Sequence, residues 1–295
     1  MLWRIVGGKP GWRALLIQWI QPSTDNFCFA DFRFQRARLN IVMDEQSSTS
    51  KFFTKVLTVD IGGSNIKILA SGQTEPRKYR SRKTLTPTEL VEIVRKLARG
   101  WDYEAISIGY PGLVGDHGPS SEPGNLGNGW VGFDFHSAFG LPVLIINDAA
   151  MQALGSYEGG RMLFLGLGTG LGSALITNQI ILTLELGEIL YTGGKTLGEA
   201  LGRQGMKRSG KSVWRRTVMD VVPTLMKAFL ADSVVLGGGN AKNLKELPHG
   251  VRLGHNLTAF RGGFRLWSVK DTQILSADDD RQHYNDQLSG DWRFI

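Results

Sequence analysis

Residues 57–67 place one carboxylate, Asp60, directly before a glycine turn, Gly62-Gly63-Ser64-Asn65. Val56, Leu57 and Val59 ahead of it read as a short apolar strand, and a second strand begins at Ile66. Glycines let a turn present successive backbone N–H groups to an anion at close range. A carboxylate beside such a turn can hold a hydrated divalent cation, because Mg2+ keeps several waters and takes only one or two carboxylates. The pattern reads as a phosphate pocket: Gly62, Gly63, Ser64 and Asn65 face the phosphate, and Asp60 holds the metal.

A second turn supports the first. Between Met162 and Ile176 an apolar strand runs into Gly166, Gly168, Gly170 and Gly172, which alternate with Leu167, Thr169 and Leu171. A side chain at every second position would crowd a bound phosphate, and Thr169 adds a hydroxyl donor. A third cluster, Gly237-Gly238-Gly239-Asn240, follows the strand residues Val234 to Leu236. One such turn alone is an ordinary hairpin or bulge; three in this order, the first led by Asp60, are harder to dismiss. None fits the P-loop pattern, and strands rather than a helix follow the second turn, which disfavours a dinucleotide fold.

A candidate general base lies between the first two turns. Leu141 to Ile146 read as a strand ending in Asn147-Asp148, with a helix pattern starting at Ala149. Active sites of α/β sheets gather at strand C-termini. Either residue could also merely cap the helix. The flanking phosphate turns favour Asp148 as the base.

Together these residues resemble the ROK-type sugar kinases of the actin-like ATPase superfamily, and within them the polyphosphate glucokinase branch. The matching segments are Asp60 to Ser64, Leu165 to Ala174, Asn147-Asp148-Ala149, Gly109-Tyr110-Pro111-Gly112, Asn125-Leu126 with Trp130, Glu185 to Gly187, and Gly237 to Asn240. The resemblance runs from about residue 55 to about 267. It implies an α/β, two-lobed actin-like ATPase (ribonuclease H-like) fold with a cleft between the lobes. It also implies transfer of a phosphoryl group from polyphosphate or ATP, with Mg2+, to a glucose-like hexose. Asp148 would act as base, and Asn125, Trp130, Asn147, Glu185 and Glu188 would line the sugar pocket. Gly168, Thr169, Gly170, Gly238 and Gly239 would join the first turn on the donor side.

Two departures from the family pattern matter. Glu188 stands where the family usually has a histidine that contacts the sugar, which puts glucose itself in question. The family's zinc site needs three cysteines, and this chain has only Cys28, outside the matched stretch; the polyphosphate glucokinase branch lacks that site too.

The elements that must position these groups read as two lobes. Residues 51–150 form the lobe with the first turn and residues 151–267 the lobe with the second. Residues 1–50 form an extension unlike the rest, with Met43 expected as the native initiator. Residues 268–295 form an acidic tail, expected to be loose. Thr86, Pro87 and Glu89 announce a helix start with a capping box, and the helix should end near Gly100. Residues 212–230 have helical spacing, with Val213, Val218, Val221, Val222, Leu225, Met226 and Phe229 on the core face. Beyond the two glycine turns no internal repeat is evident.

The 295 residues carry a net charge of +7, which favours acidic or phosphorylated partners. Two basic runs stand out: Arg77, Lys78, Arg80, Arg82 and Lys83; and Arg203, Lys207, Arg208, Lys211, Arg215 and Arg216. Either could follow a polyanionic donor, or simply be a solvated face. No nucleic-acid-binding motif accompanies them. One cysteine fits a reducing, cytoplasmic setting, and no apolar run reaches the ~18–20 residues a membrane helix needs. A homodimer is the family expectation. Two rivals share the fold. A sugar-binding transcriptional regulator needs an N-terminal helix-turn-helix, which residues 1–50 do not suggest. An inactive sugar sensor gains support from Glu188 and loses it from the retention of Asp60 and Asp148.

Overall fold

The computed structural model describes residues 53–255, 257–267 and 292–294. The 1–50 extension with Met43 and the acidic stretch 268–291 lie outside the described residues. Two mixed sheets carry the fold. The first has the order β3-β2-β1-β4-β7, with β1 at Val56–Ile61, β2 at Asn65–Ala70, β3 at Arg77–Arg80, β4 at Ala105–Tyr110 and β7 at Val143–Asn147. The hairpins β1–β2 and β2–β3 are antiparallel, and β1, β4 and β7 run parallel. The minor pair β5 (Val114–Gly115) and β6 (Gly118–Pro119) lies between β4 and β7 in the chain.

The second sheet has the order β12-β11-β8-β9-β10-β13, with β8 at Met162–Leu167, β9 at Leu171–Thr177, β10 at Ile180–Leu184, β11 at Ser233–Gly237, β12 at Val251–Leu253 and β13 at Arg293–Phe294. Here β8–β9 and β9–β10 are antiparallel hairpins, and β11 and β12 are parallel to β8. Five strands of this sheet thus repeat the connectivity of the first, and the two glycine turns occupy the same place in each, the first hairpin. The repeat is therefore larger than the two turns from which it could be suspected.

Helices fill both faces of the first sheet. α1 (Pro87–Leu97) starts at Thr86, whose hydroxyl accepts the Glu89 N–H while the Glu89 side chain accepts the Thr86 N–H. It ends about two residues before the expected stop. α1 packs on the odd-numbered β1 residues Leu57, Val59 and Ile61. Short α2 (Phe135–Phe139) adds Phe135 to the same core. The opposite face receives α3 (Asp148–Ser156) and α6 (Thr258–Arg265). Thr58 and Ser107 donate to the Phe260 and Gly263 carbonyls at 3.5 and 2.5 Å. α3 and α6 cross so closely that a Cβ on Gly155 or Gly262 would overlap the other helix's backbone. A helix from the far end of the chain thereby returns to the first sheet, so the chain does not separate cleanly near residue 150.

On the second sheet α4 (Leu197–Leu201) leads into α5 (Arg203–Ala228). α5 breaks its helical path at Gly210, where φ is 75°. Its core face is Trp214, Val218, Val221, Val222 and Leu225; Val213, expected there, is 43% exposed. Trp292 stacks edge-on to Tyr157, and β13 pairs parallel to β10, so the chain end is docked on this sheet. Among the described residues no helix is long and apolar enough to cross a membrane.

Candidate active site

Three strand ends meet in register. Asp60 at the end of β1 pairs with Gly109 of β4, and Gly109 and Tyr110 pair with Ile146 and Asn147 of β7. The chain then turns into α3 at Asp148, whose Cα lies 3.5 Å from where a Gly109 Cβ would stand. Side chains of successive strand residues alternate between faces. Asp60 therefore shares a face with Thr58, the face on which α6 and α3 pack.

Asn147 fixes the geometry of this corner. Its Oδ1 accepts the Ala149 and Ala150 N–H groups at 2.9 and 3.1 Å, and its Nδ2 donates to the Gly112 carbonyl at 3.1 Å. The side chain caps α3 and ties it to the Gly109–Gly112 segment, which gives it a positioning role and leaves its second amide N–H unused among the described residues.

Asp148 follows in the first turn of α3, where a helix N-terminus ordinarily favours a negative charge. Its carboxyl is nevertheless pushed up to about 7. Burial is the largest cause and the Asp60 charge the next; the Ala149 N–H opposes them, and Glu185 adds to the rise. Glu185 is itself raised, by partial burial and then by Glu188. Asp60 and Glu185 thus act on Asp148, and Glu188 on Glu185, around one groove. A group poised near neutrality is a far better proton acceptor than an ordinary aspartate.

The two glycine turns face each other across this groove. A Cβ on Gly63 would lie 2.9 Å from Asn125 Nδ2 and 3.9 Å from Thr169 Oγ1. The first turn, Asn125 and the second turn therefore converge. Within the first turn the Gly62 N–H is spent on the Asn65 carbonyl at 3.0 Å. Gly63 and Ser64 are exposed, and their N–H groups have no partner among the described residues. Within the second turn the Gly168 N–H is spent on Gly166 and Gly170 carbonyls, while Thr169 and Gly170 are exposed. Not every expected turn amide is available, and the outer pair of each turn carries the donor capacity.

The third cluster backs the second turn. Asn240 Nδ2 and the Arg203 N–H both donate to the Gly168 carbonyl, at 2.8 and 3.0 Å. Gly238 has φ 79°, and a Cβ there would lie 2.6 Å from the Leu167 backbone. Gly238 is therefore a packing position rather than an open one, whereas Gly239 is open.

Asn125 carries an unusual feature: its Oδ1 is buried without a partner among the described residues. A buried acceptor left unpaired costs about 1–3 kcal/mol, and a ligand hydroxyl aimed at it would remove that cost. Trp130, expected to wall the sugar pocket, is 0% exposed. It lies between Tyr110 and Phe135, at 5.4 and 6.2 Å, and donates to the Gly127 carbonyl at 2.8 Å. It braces the loop that presents Asn125 and offers no face to a ligand. Glu122, not anticipated from sequence, completes the brace by accepting the Trp130 and Val131 N–H groups at 3.2 and 3.3 Å.

Lys67 pairs opposite Asp60 across β1–β2, and its Nζ lies 3.3 Å from Asp60 Oδ2. Among the described residues no cluster of His, Cys, Asp or Glu side chains could enclose a metal ion. A lone carboxylate with one oxygen engaged by Lys67 suits hydrated Mg2+, which would be held through water and donor oxygens, and does not suit an all-protein cage.

Residues 56–189 match the model of the ROK family. A polyphosphate glucokinase of Mycobacterium tuberculosis is 28% identical over 203 residues, spanning 61% of this chain and 76% of that protein. An inorganic polyphosphate/ATP-glucomannokinase from Arthrobacter sp. strain KM superposes with a TM-score of 0.60 at 22% identity, over 73% of this chain and 98% of that one. A ROK family transcriptional regulator, a homologue of the E. coli MLC protein, gives a TM-score of 0.53 at 16% identity, over 71% and 76% of the two chains. The chain therefore has the two-lobed actin-like ATPase fold.

Proposed function

We propose, from the ROK family domain at residues 56–189 and the convergence of groups at its groove, that this chain is a carbohydrate kinase. It transfers a phosphoryl group from polyphosphate or ATP to a hydroxyl of a glucose-like hexose. The observation that carries the reading is the half-buried Asp148, raised to about 7 between Asp60 and Glu185 and placed where two glycine turns oppose each other.

Phosphoryl transfer is mostly positioning and charge stabilisation. The hexose hydroxyl lies against Asp148, which takes its proton as the new O–P bond forms. The bridging P–O bond of the donor breaks, and the shortened polyphosphate or ADP leaves with that bond's electrons. The exposed amides of Gly63, Ser64, Thr169 and Gly170, with the Thr169 hydroxyl, meet the charge on the transferring group. Asn125 Oδ1 accepts a second sugar hydroxyl, and Glu185 and Glu188 accept others. Mg2+, carried on Asp60, supplies charge neutralisation at the donor when bound.

Both donors have support in the names of the relatives. The α5 run adds a reason to favour the polyanion, since it begins at the second turn. Arg208, Arg215 and Arg216 are spent on Glu199, Asn243 and Ser212. Arg203, Lys207 and Lys211 are exposed without side-chain partners among the described residues, and add unpaired positive charge beside the second turn that attracts a polyanion. A cytoplasmic location and a homodimer belong to the same proposal, by the family resemblance.

A coupled assay with glucose or mannose, Mg2+ and either ATP or polyphosphate tests it. Hexose phosphate should form with at least one donor. Sugar binding without turnover on any donor would overturn the kinase and favour the sensor or regulator reading.

A further inference from the structure

The first basic run is divided by the fold. Arg77 donates to the Leu97 and Arg99 carbonyls at 2.6 and 2.8 Å and lies 4.0 Å above the Trp101 ring, and Arg82 pairs with Glu89 at 3.1 Å. These two hold α1 to the sheet edge. Lys78 and Arg80 do neither. Both are exposed, and neither has an ion pair or side-chain hydrogen bond among the described residues.

Register sets where they point. Asp60 pairs with Lys67, Lys67 with Lys78, and Asn65 with Arg80. Directly paired residues project on the same face of a sheet, as do residues two apart along a strand. Asp60, Lys67, Lys78, Asn65 and Arg80 therefore share one face. With strands ~4.8 Å apart, Lys78 stands about 10 Å out from Asp60. The Ser81 N–H donates to the Ser64 carbonyl at 3.0 Å, so Arg80 adjoins the first glycine turn.

We propose that Lys67, Lys78 and Arg80 form a second anion track, leading from the catalytic groove across β2 and over the edge strand β3, and that it binds the distal phosphates of a linear inorganic polyphosphate. This rests on the kinase reading and commits the donor to a chain longer than a nucleotide's three phosphates. The inner rung, Lys67, is neutralised by Asp60, and the outer two are not, so attraction grows toward the rim where a long donor would trail. β3 is an edge strand, and its lysine and arginine also discourage pairing with other chains. That role needs charges on the edge, but not on the one face that carries Asp60.

The test is the double variant Lys78→Ala/Arg80→Ala, compared with wild type in turnover on a hexose and in direct binding of fluorescently labelled long-chain polyphosphate. KM for long-chain polyphosphate should rise about tenfold, with KM for ATP, tripolyphosphate and hexose unchanged within about twofold. The slope of log affinity against log salt should fall by about 1.4, or 0.7 for each lost contact by the single-strand scale. Unchanged long-chain KM in an enzyme that still uses polyphosphate overturns the track and leaves the kinase reading standing. An equal loss of single-stranded oligonucleotide binding shows a nonspecific polyanion surface and also overturns it. No turnover by wild type on any donor removes the kinase reading and the track with it.

Discussion

Replacing Asp148 with asparagine separates the group's chemistry from its cost to the fold. The carboxyl rises from the ordinary 3.8 to about 7, through burial first and the Asp60 charge second. A gap of about 3 units corresponds to at most about 4 kcal/mol, at 1.36 kcal/mol per unit. The folded protein holds this proton more tightly than the unfolded chain does. Below the unfolded value near 3.8 the group costs nothing; the cost grows as pH rises and levels off above about 7. The side chain is only half-buried, so solvent screening trims the figure. Asparagine is uncharged throughout and escapes the cost. Asp148→Asn should exceed wild type in stability by about 1 kcal/mol at pH 5 and about 2–4 kcal/mol at pH 8. Urea unfolding at both pH values, followed by circular dichroism, reads this directly. Turnover should fall by about 10²–10⁴-fold in the same variant. A stability difference that does not grow with pH, or a variant with normal turnover, refutes the reasoning.

Asp60→Asn removes the second-largest cause of the Asp148 shift, so in the metal-free protein the Asp148 titration followed by NMR should move below about 7; an unmoved titration contradicts the coupling. Asn125→Ala should raise the hexose KM about tenfold without lowering the melting temperature, since the unpaired buried oxygen it removes is itself a cost to the ligand-free fold. Trp130→Ala should instead cost about 3–5 kcal/mol of stability as a core deletion, and a small stability cost with a large KM effect would show that the ring does meet the sugar. Gly238→Ala forces a Cβ onto the Leu167 backbone at positive φ and should cost about 1–3 kcal/mol, seen in thermal unfolding, with a weaker donor KM; a neutral outcome would detach the third cluster from the second turn.

What could be read from sequence was local. The Thr86 capping box, the strand–turn–strand glycine motifs and Asp148 at a strand end each occupy a few adjacent residues, and each forms where expected. What escaped reading depends on neighbours brought by the fold. The pairing of Lys67 with Asp60 comes from the β1–β2 register, which no run of adjacent residues announces. The resemblance makes Trp130 a pocket wall, yet its own loop folds it between Tyr110 and Phe135. Asn147 lies in a motif on which the resemblance rests, and only the fold shows that its Oδ1 also caps α3 while its Nδ2 reaches the Gly112 carbonyl. An ordinary aspartate is a weak base; burial and Asp60, both tertiary, raise Asp148. The repeated connectivity of the two sheets left only its glycine turns in the sequence, because strand order is not a local property.

A crystal structure of the chain with glucose and an unreactive donor tests the catalytic geometry most directly. One sugar hydroxyl should sit about 2.6–3.2 Å from the Asp148 carboxylate, in line with the donor's terminal phosphorus, with another on Asn125 Oδ1. A sugar bound elsewhere, or a terminal phosphate away from the Gly63 and Thr169 turns, would contradict it.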